Sequence, residues 1–117
     1  MENRPTIYHN PRCSKSRQTL ALLEQQGIEP QVIRYLETPP DATTLERLLE
    51  LLDLSPRELM RKGEDEYQRL GLDDPQLTRA QLIAAMVQHP RLIERPIVVH
   101  NGKAAIGRPP EKVLELL

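Results

Sequence analysis

The residues best suited to chemistry lie in Asn10-Pro11-Arg12-Cys13-Ser14-Lys15-Ser16-Arg17, which holds the only cysteine of the chain. The segment follows a short β-rich run and opens a helical pattern. A helix start carries partial positive charge and unpaired N–H donors. With the cations Arg12, Lys15 and Arg17 alongside, a thiol pKa of about 8.5 can fall to roughly 3.5–7.5. The same donors bind anions. The segment therefore reads as a nucleophilic thiolate beside an oxyanion pocket. Against this stands the plainer reading, in which a lone cysteine is a small buried hydrophobe and the basic cluster is solvated surface. The order strand, turn, cysteine, helix favours the first, because open α/β sheets bind ligands at strand ends.

Three arginines extend the pattern: Arg61, Arg95 and Arg108. Arg95 and Arg108 each precede a proline, which confines the residue before it to extended backbone. The Arg95-Pro96 bond, just before a strand, is also a candidate cis peptide. The planar guanidinium fork suits tetrahedral oxyanions. Taken singly, each arginine reads as a surface residue; as a set, they read as an anion site.

These side chains need a frame. Thr6-Ile7-Tyr8-His9 reads as a central strand. A helix from Ser14 carries Leu20, Ala21, Leu22 and Leu23 and stops at Gly27. Gln31 to Leu36 reads as a second strand, parallel to the first. Thr43-Thr44-Leu45-Glu46, Ser55-Pro56-Arg57-Glu58 and Thr78-Arg79-Ala80-Gln81 each read as a capping box opening a helix. Arg95 to His100 and Lys103 to Ile106 flank Asn101-Gly102, a strong hairpin signal. A last helix from Glu111 should turn Val113, Leu114 and Leu117 inward. The order β-α-β, helices, β-β-α is that of a thioredoxin-like α/β domain, a mixed four-stranded sheet with a helical insertion at about residues 42–90. Arg95 and Arg108 bracket the hairpin at its open end; whether they face Cys13 depends on register.

The totals narrow the functional classes. A chain of 117 residues is one domain with its own core. It has no Trp or Phe, so that core is aliphatic. A net charge of -1 argues against nucleic acid or an anionic membrane as partner. One cysteine makes no internal disulfide, and His9, His89 and His100 lack metal-ligand spacing, so no metal is expected. Met1-Glu2-Asn3-Arg4-Pro5 shows no signal peptide and no run is long enough to span a membrane. A free reactive thiol fits the reducing cytoplasm. No exposed apolar stripe is evident, so a monomer is expected.

Five separated stretches carry a resemblance: Tyr8 to Arg17, Tyr35-Leu36-Glu37-Thr38-Pro39-Pro40, Leu59-Met60-Arg61-Lys62, Glu94 to Val99, and Gly107-Arg108-Pro109-Pro110-Glu111. Together they closely resemble the glutaredoxin-coupled arsenate reductase family, short chromosomal type. The resemblance implies that Cys13 attacks arsenate and that Arg61, Arg95 and Arg108 bind the oxyanion. It credits His9 and Ser16 with lowering the thiol pKa or shaping the loop that also holds Arg17. It implies glutathione as co-substrate, glutaredoxin as partner and no tightly bound cofactor. The chain departs from plasmid-borne members in ending at Leu117 and in having Ser14-Lys15 directly after the cysteine. A glutaredoxin-like thiol protein without arsenate activity is the alternative that the residues leave open. An Spx-type transcription regulator would carry Cys-x-x-Cys, and Ser16 stands at its second position. The phosphatase-like reductases need Cys-x5-Arg, which here would fall on Thr19.

Overall fold

In a computed structural model, residues 4–117 are described. The first residues of the segment read for a signal peptide, Met1-Glu2-Asn3, lie outside the described residues. Strand β1 (Thr6–His9) pairs in parallel with β2 (Gln31–Arg34), with Thr6 opposite Gln31. On its other side β1 pairs antiparallel with β3 (Ile97–His100), which pairs antiparallel with β4 (Lys103–Ile106). The sheet order is β2-β1-β3-β4, so β1 is central as expected. Ile7 and Val98 face each other across the ladder, both with 0% exposure. They form one core with Leu23, Val113 and Leu116.

The hairpin turn follows its sequence signal. Asn101 and Gly102 have φ of 54° and 71°, the left-handed pair that a two-residue turn needs to match strand twist. Two strands are shorter than expected. The second ends at Arg34, because Glu37 and Thr38 both donate their amides to the Arg34 carbonyl at 2.9 Å, closing a turn. The third begins at Ile97, since Pro96 has no N–H to give a ladder. Both Arg95–Pro96 and Arg108–Pro109 are cis.

Helix α1 (Ser14–Gln25) buries Ser16, Thr19 and Leu23. The expected stripe at Leu20 to Leu23 is thus only partly the inward face; Leu20 and Leu22 are half-buried against the core. Small polar residues occupy the rest. Thr19 satisfies its hydroxyl by donating to the Lys15 carbonyl at 2.8 Å, a bond made within the helix. The helix ends in a Schellman motif, with the Ile28 amide donating to the Leu23 carbonyl at 3.1 Å and Gly27 at φ 77°.

The C-terminal segment corrects an expectation. Pro110–Leu116 is a 3₁₀ helix, and it buries Pro110, Val113 and Leu116. Three residues per turn puts every third side chain inward, so Leu116 replaces Leu117, which is 46% exposed.

Gly107 marks a close approach of β4's end to α1. A β-carbon there would fall on Thr19 Oγ1 and 2.9 Å from Pro96 Cγ. Gly107→Ala is therefore expected to cost about 1–3 kcal/mol by overpacking. Urea denaturation should show a lower midpoint at unchanged slope; an unchanged midpoint would show that Thr19 and Pro96 give way freely.

The chain divides into two compact units: this sheet unit, running to Thr38 and resuming at Arg95, and a helical unit, Pro39–Glu94. The helical unit comprises α2 (Ala42–Leu52), α3 (Pro56–Leu59), α4 (Asp65–Arg69), α5 (Arg79–Gln88) and a 3₁₀ turn at Pro90–Leu92. Leu45, Leu48, Leu49, Leu82, Ile83 and Met86 are buried on α2 and α5. The capping boxes at Ser55 and Thr78 both form. The one expected at Thr43 does not. Asp41 accepts the Thr44 amide at 2.8 Å, so the helix starts at Ala42. A carboxylate caps the helix N-terminus well and also meets its dipole.

Candidate active site

The site grows from the end of β1. Beyond His9 the chain must turn into α1, and a set of local bonds fixes that turn. The Asn10 carbonyl accepts the Cys13 amide at 3.0 Å, and Asn10 Oδ1 accepts the Arg12 amide at 3.0 Å. Ser16 Oγ accepts the Asn10 amide at 3.0 Å and shares a 2.6 Å hydrogen bond with His9 Nδ1. Arg17 closes the outside of the loop by donating Nη1 to the Pro11 carbonyl at 3.0 Å. Ser16 is fully buried and His9 is 5% exposed, so this polar pair is shielded from water. Burial, then the charges of Arg34 and Arg17, hold His9 below its ordinary pKa. His9 is therefore neutral at neutral pH.

Cys13 is the N-cap residue of α1, with extended backbone and no cap bond from its own side chain. It is a free cysteine, partly exposed and so reachable. Arg108 Nη2 donates to Cys13 Sγ at 3.5 Å, while Arg108 Nε donates to the Arg95 carbonyl at 2.8 Å. That second bond fixes the guanidinium over the sulfur. Burial pushes the thiol pKa up, but the Ser16 amide, the Arg95 guanidinium by hydrogen bond and by charge, and the Lys15 amide outweigh it, and the net shift is downward.

The expected pattern is thereby refined. Arg95 and Arg108, which come from distant stretches, are beside Cys13 in the same unit. The loop's own cations play other parts. Arg12 is exposed, Lys15 acts through its backbone amide, and Arg17 holds Pro11. Arg61 belongs to the helical unit, two residues past the end of α3. Its amide donates to the Leu92 carbonyl at 2.7 Å and its Nε is 3.7 Å from Glu64. Sequence reasoning gave Asn10 no role in positioning the thiol, yet it pins the loop twice. The available signal was Asn before Pro at a strand end, where an Asn side chain mimics a backbone turn.

This arrangement makes a pH prediction. The rate of Cys13 alkylation by iodoacetamide should rise with pH through a midpoint below about 8.5 and level off above it. A midpoint at or above that value would contradict the electrostatic account. Linkage runs the same way. Stability gained from the ionised thiol is complete above the unfolded thiol's pKa and is lost as pH falls through the lowered one.

A thiolate at a helix N-cap under two guanidinium groups can attack an electrophile whose oxygens carry negative charge. Residues 8–116 match the model of the ArsC family. A protein of Escherichia coli K12, described only as uncharacterized, is 60% identical over 118 residues, covering 100% of this chain and 99% of its own. An arsenate reductase of Neisseria meningitidis serogroup A is 52% identical over 112 residues, covering 95% of this chain and 96% of its own. The solved structure of an arsenate reductase from Vibrio cholerae aligns with a TM-score of 0.96 at 58% identity over 100% of both chains. The match of fold and sequence runs through the thiol loop and both arginine-bearing stretches of the sheet unit, and the chain belongs to the ArsC family, with that family's thioredoxin-like fold.

Proposed function

We propose that this protein reduces arsenate to arsenite, with Cys13 as nucleophile and Arg95 and Arg108 as oxyanion-binding groups. The observation that carries the reading is the Cys13 sulfur, held at the N-cap of α1 with Arg108 Nη2 at 3.5 Å and with Arg95 lowering its pKa. The thiolate attacks arsenic(V), a sulfur–arsenic bond forms, and one arsenate oxygen leaves as water after protonation. The two guanidiniums neutralise the oxygens that would otherwise repel the thiolate. A second thiol, from glutathione, then attacks Cys13 sulfur. A disulfide forms, the sulfur–arsenic bond breaks, and its electron pair stays on arsenic, which leaves as arsenite. Two thiols have each lost one electron and arsenic has gained two.

The product on the chain is a Cys13–glutathione mixed disulfide. The chain has no second cysteine to resolve it, which supports an external dithiol or thiol partner of the glutaredoxin type. A cleft beside the thiol loop is lined by Arg12, Arg34 and Glu37. These charges complement the carboxylates and amine of a small peptide thiol. Arg61 is a third anion-binding arginine on the strength of its motif. Such chemistry needs a reducing compartment, so the cytoplasm is its setting. Among the described residues, no helix is long and apolar enough to cross a membrane.

The test is a coupled assay with purified protein, glutathione, glutaredoxin, glutathione reductase and NADPH. Arsenate-dependent NADPH oxidation is expected. Its absence where a known reductase works would overturn the reading; glutaredoxin-dependent turnover of small disulfides in its place would favour a general thiol protein.

A further inference from the structure

We propose that the Tyr35 hydroxyl is an additional binding group of this site, a neutral donor to an arsenate oxygen held between Cys13 and Arg95. The proposal rests on the arsenate reading above and adds a residue that it does not use. Tyr35 stands in the turn after β2, in the same unit as Cys13 and Arg95. It is 1% exposed, yet its hydroxyl has no hydrogen-bond partner. Burying a phenol oxygen in that state is unfavourable, and such groups call for a functional account. Phenylalanine would fill the same space without that cost.

The surroundings say what the account is. Arg95 and Asn10 are the polar side chains beside the hydroxyl, and the charge on Cys13 reaches it. A guanidinium can only donate, so it faces the lone pairs of the phenol oxygen and leaves the O–H to point elsewhere. Asn10 Oδ1 accepts the Arg12 amide at 3.0 Å and makes no hydrogen bond with the phenol. An anion beside Cys13 and Arg95 would supply the missing acceptor. Burial foremost, with the Cys13 charge adding and Arg95 and Asn10 opposing, pushes the Tyr35 pKa up to about 12. The phenol thus keeps its proton at neutral pH and can donate it.

The experiment compares the wild-type protein with Tyr35→Phe in the coupled assay, in thermal melting and in Cys13 alkylation. Tyr35→Phe should melt at the same or a higher temperature and leave the pH midpoint of Cys13 alkylation unchanged. Its KM for arsenate should rise roughly 10- to 100-fold, the usual loss for a hydrogen bond to a charged group. An unchanged KM would overturn the proposal. A lower melting temperature with a shifted Cys13 midpoint would also overturn it, assigning Tyr35 to packing of the loop. Should the wild-type protein fail to turn over arsenate, the functional reading fails separately. Protection of Cys13 from iodoacetamide by added arsenate then decides the proposal. Protection that weakens in Tyr35→Phe supports it, and protection equal in both proteins, or absent from both, overturns it.

Discussion

Cys13→Ser is expected to lower arsenate-dependent turnover by more than about a thousandfold while the protein stays folded. The hydroxyl that replaces the thiol does not ionise near neutral pH, so the helix amides and Arg95 have no anion to hold and the arsenic no nucleophile. The fold has little reason to respond. Cys13 is only partly buried, and its backbone bonds to Asn10 and Arg17, each 3.0 Å, do not involve the side chain. A serine oxygen can also accept from Arg108 Nη2. Circular dichroism and the urea midpoint should stay within about 0.5 kcal/mol of wild type, while the coupled assay falls to background. Retained activity would remove Cys13 from the mechanism, and a collapsed spectrum would make it a packing residue.

Arg108→Ala should lower kcat/KM for arsenate by about 10²–10³-fold. This guanidinium is the charge whose Nη2 lies 3.5 Å from Cys13 Sγ, so its removal weakens both anion binding and the neutralisation of charge during attack. The stability cost is smaller. The bond from Arg108 Nε to the Arg95 carbonyl, 2.8 Å long, is lost, a loss of about 1 kcal/mol. Arg108→Lys separates the two contributions. Lysine keeps the charge but, as a point donor, does not hold the Arg95 carbonyl and the sulfur together with a rigid fork. It should recover part of the activity and little of the positioning. Parallel losses of activity and stability in Arg108→Ala would make the arginine structural instead.

The fold was readable where its determinants are local. Asn101-Gly102 specifies its turn because two adjacent residues must take positive φ, and both do. The Ser55 and Thr78 boxes form because cap and partner lie three residues apart. Misreadings came where neighbours compete or where a period changes. Asp41 outbid Thr43 for the start of α2. The tail took up 3₁₀ winding and buried Leu116 instead of Leu117. Ser16 and Thr19 lie on the buried face of α1 although hydrophobic periodicity passes over them. Their burial follows from hydrogen bonds to His9, Asn10 and Lys15 that no periodicity displays.

The sequence by itself determined the chemistry available to this protein. One thiol sits at a helix start behind a strand, and arginines set before prolines flank a hairpin, as local dihedral preferences and capping require. Tertiary structure alone decided which groups act on the sulfur. The register of β3 against β1 carries Arg95 and Arg108 to Cys13, the loop's own cations turn to other tasks, and Tyr35 is buried beside the site. The physical reason is separation along the chain. Nothing within reach of Cys13 in sequence constrains where residues more than eighty positions away come to rest; only strand pairing and the shared core of Ile7, Leu23 and Val98 do.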